Sequence, residues 1–233
     1  MIPKPYKHIF FDLDHTLWDF EKNSTETLIE LYDRHNMQEL KMFSKEAFVK
    51  TFHKINYYLW ACYHKGTLDR ETLRTERFKI IFSKLDVDYP YSTSELTEEY
   101  LSLCPTKTNL FPYTLEVLQY LKKKYVLHII TNGFEEVQYI KLSSSKLSQY
   151  FVEIVTSDAS GFIKPHQGMF EYALQKTKAF CSDCVMIGDD LEADIVGARN
   201  SSIDHIYFNP SGLKHQELVT HEIHCLSQLM HIL

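Results

Sequence analysis

Apolar residues run through five short stretches of the chain, and each run ends on a polar group. The first is the His8–Phe11 run of "HIFFDLDHTLWDF"; the others are "VLHIITN" (126–132), "FVEIVTSD" (151–158), "CVMIGDD" (184–190) and "HIYFNP" (205–210). Most are apolar on both faces, the pattern of parallel strands covered by helices on both sides. Between them the apolar spacing changes to a helical period over 113–124, 134–148, 167–179 and 191–201. Strand alternating with helix predicts a Rossmann-like, doubly wound α/β parallel sheet with right-handed crossovers. Residues 18–105 break the alternation. They carry helical patterns only, at about 21–36, 44–65, 69–86 and 93–103, with Gly66 and Pro90 as punctuation. That is too much helix for one crossover. The expected organisation is therefore an α/β core domain from residues 1–17 and 106–233, with residues 18–105 inserted as a helical domain.

A chain of 233 residues can bury a substantial core as one domain with a smaller insert. Its net charge of −6 argues against a nucleic-acid polymer as partner and leaves a small phosphorylated molecule open. No apolar run reaches membrane-spanning length and the N-terminus lacks a signal-peptide core, so no membrane partner is expected. Five cysteines without framework spacing suit a reducing cytoplasm. Cys181 and Cys184 have Cys-x-x-Cys spacing but no second pair to complete a zinc site, so they read as a turn. A monomer or small homo-oligomer is expected.

In an open parallel sheet, ligands bind beyond the carboxyl ends of the strands. Here those ends carry Asp12 and Asp14, then Thr131-Asn132-Gly133, then Ser157-Asp158 followed by Lys164-Pro165, then Gly188-Asp189-Asp190 with Asp194 beyond. Asp12 and Asp14 lie two residues apart at the end of a buried strand. Like charges that close need a shared proton or a cation. Each fragment alone is common; the four in this order, each at a strand end, point to one site.

"DLDHT", "IITNG", "KP" and "GDDLEAD" together resemble the four signature motifs of the haloacid dehalogenase (HAD) superfamily, and the helical insert resembles the cap found in some of its members. "NYYLWACYHKGTLDRETLRTERF" (56–78) and "TNGFEEVQ" are similar to the bacterial pyrimidine-type 5′-nucleotidase branch. The resemblance implies a Mg²⁺-dependent phosphomonoester hydrolase acting through an aspartyl-phosphate, on nucleoside 5′-monophosphates. It makes Asp12 the nucleophile and Asp14 the general acid and base. Mg²⁺ would be held by Asp12, Asp189 and the backbone carbonyl of Asp14, with Asp190 and Asp194 as orienting groups or further ligands. Thr131 and the backbone N–H of Asn132 would grip phosphate, and Lys164 would neutralise charge on nucleophile and phosphoryl group.

Within the insert, Asn56, Trp60 and Arg77 match the nucleotidase-like stretch and are the expected substrate contacts. Tyr57, Trp60 and His64 fall on one helical face and Phe52, Ile55, Leu59 and Tyr63 on another, a pattern that also suits core packing. Arg70, Arg74 and Arg77 also fit an ordinary charged helix face. Two features depart from the branch: His166-Gln167-Gly168 stands where relatives often carry Asn-Pro, and "TSDASGFIKP" keeps only Asp158 of the acids often seen before the motif lysine. The alternatives are a sugar-phosphate or phosphoglycolate phosphatase, a phosphomutase, a non-catalytic binding module, or a haloacid dehalogenase. Asp14 opposes the last, because dehalogenases have a non-acid there.

Overall fold

The structure, a computed structural model, describes residues 6–40, 43–87, 89 and 92–233. In chain order the elements are β1 (His8–Phe11), α1 (Phe20–Arg34), α2 (Lys45–His64), α3 (Arg70–Thr75), α4 (Arg77–Lys84), α5 (Thr93–Leu103) and α6 (Thr114–Leu121). There follow β2 (Val126–Thr131), α7 (Glu135–Ser144), β3 (Glu153–Thr156), α8 (Ser157–Ser160), α9 (Gln167–Thr177), β4 (Cys184–Gly188), a π-helical turn over Leu191–Val196, α10 (Gly197–Asn200), β5 (Asp204–Phe208), β6 (His221–Ile223) and α11 (Leu229–Ile232). They divide into two compact units, Met1–Phe20 with Thr108–Leu233, and Glu21–Lys107.

The first unit is built on one six-stranded sheet in the order β3-β2-β1-β4-β5-β6, every neighbouring pair parallel. The sequence pattern predicts this α/β architecture. Strand β1 is central, pairing Phe11 with Ile129 on one side and with Ile187 on the other. Its side chains are buried on both faces: Phe10 packs with Ile130, Met186, Met169, Phe170 and Ala173, while Phe11 meets Phe151 edge-on across the opposite face. Met169, Phe170 and Ala173 share one face of α9 because they lie at helical spacing. The chain winds outwards from β1 to β3 and returns on the other side at β4, so the direction of winding reverses between β1 and β4. That reversal leaves a crevice at the carboxyl ends of the two strands.

The second unit is helical. Phe48 and Phe52 of α2, Phe78 and Phe82 of α4 and Tyr100 of α5 form its aromatic core, with Phe52 and Tyr100 centroids 4.8 Å apart. Ser44, Asp69 and Ser92 cap α2, α3 and α5, each side chain accepting from a backbone N–H of the first turn.

Three features differ from the sequence pattern. The expected helix over 69–86 is two helices, because the backbone at Glu76 (φ −87°, ψ −7°) leaves the helical ladder, and no Gly or Pro marks the break. The stretch ending "TSD" stops as a strand at Thr156, whose hydroxyl accepts from Ala159 N and starts α8. Strand β6 is unanticipated: three residues are too few to show a period, and β6 is held beside β5 by Asn209 N donating to Ile223 O and Asn209 Nδ2 to Glu222 Oε1 at 2.6 Å. Pro90 lies outside the described residues. Among the described residues no helix is long and apolar enough to cross a membrane.

Candidate active site

Strand β1 delivers Asp12 to the crevice, and the tight loop after it delivers Asp14 and Thr16. That loop closes on itself through Leu17 N and Trp18 N donating to Leu13 O, and through His15 N donating to Trp18 O, with His15 at φ +62°. Strand β4 delivers Asp189, and the π-helical turn behind it delivers Asp194. Asp12, Asp189 and Asp194 each place a carboxylate oxygen within 4.8 Å of the others. Gly188 leaves the space this needs, since a Cβ there would lie 2.1 Å from Asp194 Oδ2.

Into this cluster comes Lys164, buried at 2% exposure. Its ammonium spends all three protons: on Asp12 Oδ1 at 2.5 Å, Asp194 Oδ1 at 2.6 Å and Ile130 O at 2.9 Å. Asn132 fixes the backbone that carries it, donating from Nδ2 to Lys164 O and accepting from Lys164 N at Oδ1. The sequence reading expects only a backbone contribution from Asn132; the side-chain clamp is an addition.

Burial pushes the Asp12 carboxyl up to about 7; Lys164 opposes this, and Asp194 and Asp14 add to it. Asp189 lies well above the usual carboxylate range, first from burial and then from Asp12 and Asp194, with the Thr16 hydroxyl donating to its Oδ1 at 2.9 Å. Asp194 is raised by burial against the pull of Lys164. Ionised, the three carboxylates and one ammonium carry two uncompensated negative charges. Hard oxygen donors with that charge deficit suit a divalent cation such as Mg²⁺.

Asp14, whose charge is felt at Asp12, has a second set of partners. Lys141 Nζ of α7 lies 2.6 and 2.8 Å from its two carboxylate oxygens, and Gln138 Nε2 donates to Oδ2 at 2.9 Å. Burial would raise Asp14, but Lys141 and Gln138 hold it below its ordinary value. Gln138 Nε2 also donates to Thr131 Oγ1 at 2.6 Å, and Gly133 N donates to the same oxygen at 3.1 Å. With both lone pairs of the hydroxyl engaged, its own proton is left to donate.

Asp190 is not one of the three clustered carboxylates: its Oδ1 accepts from Glu192 N and Ala193 N and caps the π-helical turn. Asp158 accepts from Glu135 N at the start of α7. Neither Gln138, Lys141 nor Thr16 is anticipated from the sequence. The helical spacing of Gln138, Lys141 and Leu142, which places two polar groups on the buried face of α7, is the one signal available.

In the helical unit, Asn56 and Arg77 are each 6% exposed. Arg77 lies over the rings of Phe52 and Tyr100, at 5.5 and 5.6 Å. Its Nε and Asn56 Oδ1 are buried and hydrogen-bond to nothing among the described residues. Arg77 therefore belongs to the interior, and the charged-face reading of Arg70, Arg74 and Arg77 fails for it. Trp60 is half-buried and packs edge-on against Tyr63. Phe52, Ile55 and Leu59 are core and Tyr57 is 80% exposed. Cys181 and Cys184 are free thiols.

The family model of haloacid dehalogenase-like hydrolases matches residues 6–201. The chain belongs to that family. This HAD-like hydrolase is 28% identical to the HAD-hydrolase YfnB of Bacillus subtilis, over 99% of this chain and 96% of YfnB. It is likewise 28% identical to the pyrimidine 5′-nucleotidases PynA of Streptococcus pneumoniae, covering 97% and 94% of the two chains, and YjjG of Escherichia coli, covering 95% and 96%. The crystal structure of YfnB, bound to magnesium, superposes with a TM-score of 0.87 at 26% identity, covering 98% of this chain and 99% of that one.

Proposed function

We propose that this HAD-like hydrolase is a Mg²⁺-dependent phosphomonoesterase acting through an aspartyl-phosphate on Asp12, with nucleoside 5′-monophosphates as its substrate class. One observation carries the reading: three clustered carboxylates, two of them held by the single ammonium of Lys164, stand where the sheet reverses its winding, beside a hydroxyl with a proton to give.

Lys164 holds Asp12 Oδ1 and so orients the carboxylate whose oxygen attacks phosphorus. The P–O ester bond breaks, and Asp14, which takes up a proton from solvent against the pull of Lys141 before this step, gives that proton to the departing oxygen. A water then attacks the phosphorus of the aspartyl-phosphate while Asp14 takes that water's proton; inorganic phosphate leaves and the Asp12 carboxylate is restored. The Thr131 hydroxyl donates to a phosphate oxygen, and Lys164 offsets charge that develops in both steps. Asp12, Asp189 and the backbone carbonyl of Asp14 would hold Mg²⁺, with Asp194 in reach. The bound ion would supply the missing positive charge and draw the phosphate dianion into an acidic site.

The substrate class is supported by the likeness to PynA and YjjG and by the unsatisfied groups of the helical unit. Arg77 Nε and Asn56 Oδ1, buried and with no partner among the described residues, are a donor and an acceptor of the kind that the carbonyl and ring N–H edge of a uracil or thymine base would satisfy once the interior around them opens. The deciding experiment is phosphate release over a panel of nucleoside monophosphates and sugar phosphates, with and without EDTA, for the wild type and Asp12→Asn. Asp12→Asn is expected to lose at least about a thousandfold of the rate, since an amide is no nucleophile here. Full turnover by the variant or by chelated enzyme would sink the mechanism, and a preference for sugar phosphates the substrate class.

A further inference from the structure

We propose that Lys141 and Gln138 are positioning residues for Asp14, and that through the amide of Gln138 the group that transfers the proton and the group that grips phosphate are set together. The inference rests on the phosphatase reading above.

Asp14 sits on a loop, and its side chain is partly exposed. A carboxylate in that setting would ordinarily sample several rotamers. Here each oxygen is held: Lys141 Nζ contacts both, at 2.6 and 2.8 Å, and Gln138 Nε2 contacts Oδ2 at 2.9 Å. The lysine is itself confined. Its side chain is 7% exposed, and its ammonium lies 4.6 Å from the ring centroid of the fully buried Trp18, two groups ordered by the same loop that carries Asp14. Holding an ammonium there, rather than in water, needs a fixed partner, and Asp14 is that partner.

Gln138 is fully buried, and its amide nitrogen has two protons, one spent on Asp14 Oδ2 and the other on Thr131 Oγ1. The amide oxygen finds no partner among the described residues, so the nitrogen's two contacts are what hold the group. Gly133 makes room, for a Cβ at that position would lie 2.3 Å from Gln138 Nε2. Two side chains on adjacent turns of α7 therefore act on one carboxylate, and one of them also sets the Thr131 hydroxyl. Placement of this kind matters most where proton transfer limits the rate, because small misplacements of a reacting group are costly.

The test compares an alkyl phosphate (a nucleoside monophosphate), whose leaving group needs a proton, with p-nitrophenyl phosphate, whose leaving group does not. Lys141→Met, Asp14→Asn and the double variant are assayed on both, with melting temperatures recorded. If Lys141 acts through Asp14, Lys141→Met loses at least about tenfold more kcat/KM on the alkyl ester than on the aryl ester. The double variant is then no slower on the alkyl ester than Asp14→Asn alone, and Lys141→Arg recovers part of the loss. Equal losses on both esters, or losses that multiply in the double variant, overturn the inference. Should Lys141→Met fail to fold, Gln138→Met is used instead: it loosens Thr131 for both esters, and the inference stands only if the alkyl ester loses at least about tenfold more kcat/KM than the aryl ester. A wild type that hydrolyses neither ester overturns the phosphatase reading and this inference with it; an active wild type with uniform losses overturns the inference alone.

Discussion

At the scale of the residue, the molecule sorts its buried charges into those that have fixed partners and those that do not. Lys164 is saturated, Asp14 is saturated, and Asp189 has one hydroxyl. His128 is a buried group outside the site that leaves a measurable trace. Its ring stacks on His8 with Nε2 3.1 Å from His8 Nδ1, and its own Nδ1 has no partner among the described residues. Burial first, and the neighbouring His8 second, depress it from 6.5 to about 4. The folded state therefore binds fewer protons than the unfolded chain between those values. The contribution is fully present above about pH 6.5 and is lost as pH falls towards 4. The urea midpoint should fall over that window, and His128→Phe should flatten the fall. An unchanged slope in the variant would assign the loss to other groups, of which His8, also lowered by burial, is the nearest.

At the scale of the element, the helices differ in what they carry. α9 contributes apolar packing, whereas α7 turns Gln138 and Lys141 towards the site and α4 buries Arg77. A buried guanidinium with no ion-pair partner among the described residues is a cost to the fold, and its pKa is lowered by that burial. Arg77→Met keeps the length and removes the charge. It is expected to leave the melting temperature unchanged or higher while lowering kcat/KM for nucleoside monophosphates about ten- to a hundredfold, with p-nitrophenyl phosphate much less affected. Asn56→Leu should follow the same pattern. A lower melting temperature with equal losses on both substrates would make Arg77 and Asn56 ordinary parts of the aromatic core. The break at Glu76 belongs to this scale too: it starts a new helix at Arg77, and nothing in the local sequence announces it.

At the scale of the whole molecule, five strand registers and one reversal of winding bring Asp12 and Asp189, 177 positions apart in the numbering, to one crevice. Folding must place their charges together, so a divalent cation should be linked to stability as well as to turnover. Mg²⁺ is expected to raise the melting temperature of the wild type in a concentration-dependent way, with EDTA reversing it. Asp189→Asn should melt higher than the wild type in EDTA, because one repelling charge is gone, and should lose most of the Mg²⁺-induced rise. An equal rise in the variant would place the cation elsewhere.

Asp12, Thr131 and Asp189 could be picked out from the sequence because each stands at the end of an apolar run, where polarity has no packing explanation; Lys164, well past β3, stood out only through the resemblance of its Lys-Pro pair to a family motif. The α/β order was legible for the same reason: a strand buried on both faces has no polar period to hide it. What remained invisible depends on distance in space. Gln138 and Lys141 are polar residues on a helix, ordinary until α7 is laid beside the Asp14 loop; Asn132 clamps Lys164 across 32 residues. Asp194 and Asp190 stand four apart in the same acidic run, yet one is buried against Lys164 and the other caps a turn. Periodicity reports which side of an element is dry. Only the tertiary structure decides which polar groups meet there, because hydrogen bonds and ion pairs form between atoms a few ångströms apart whatever their separation along the chain.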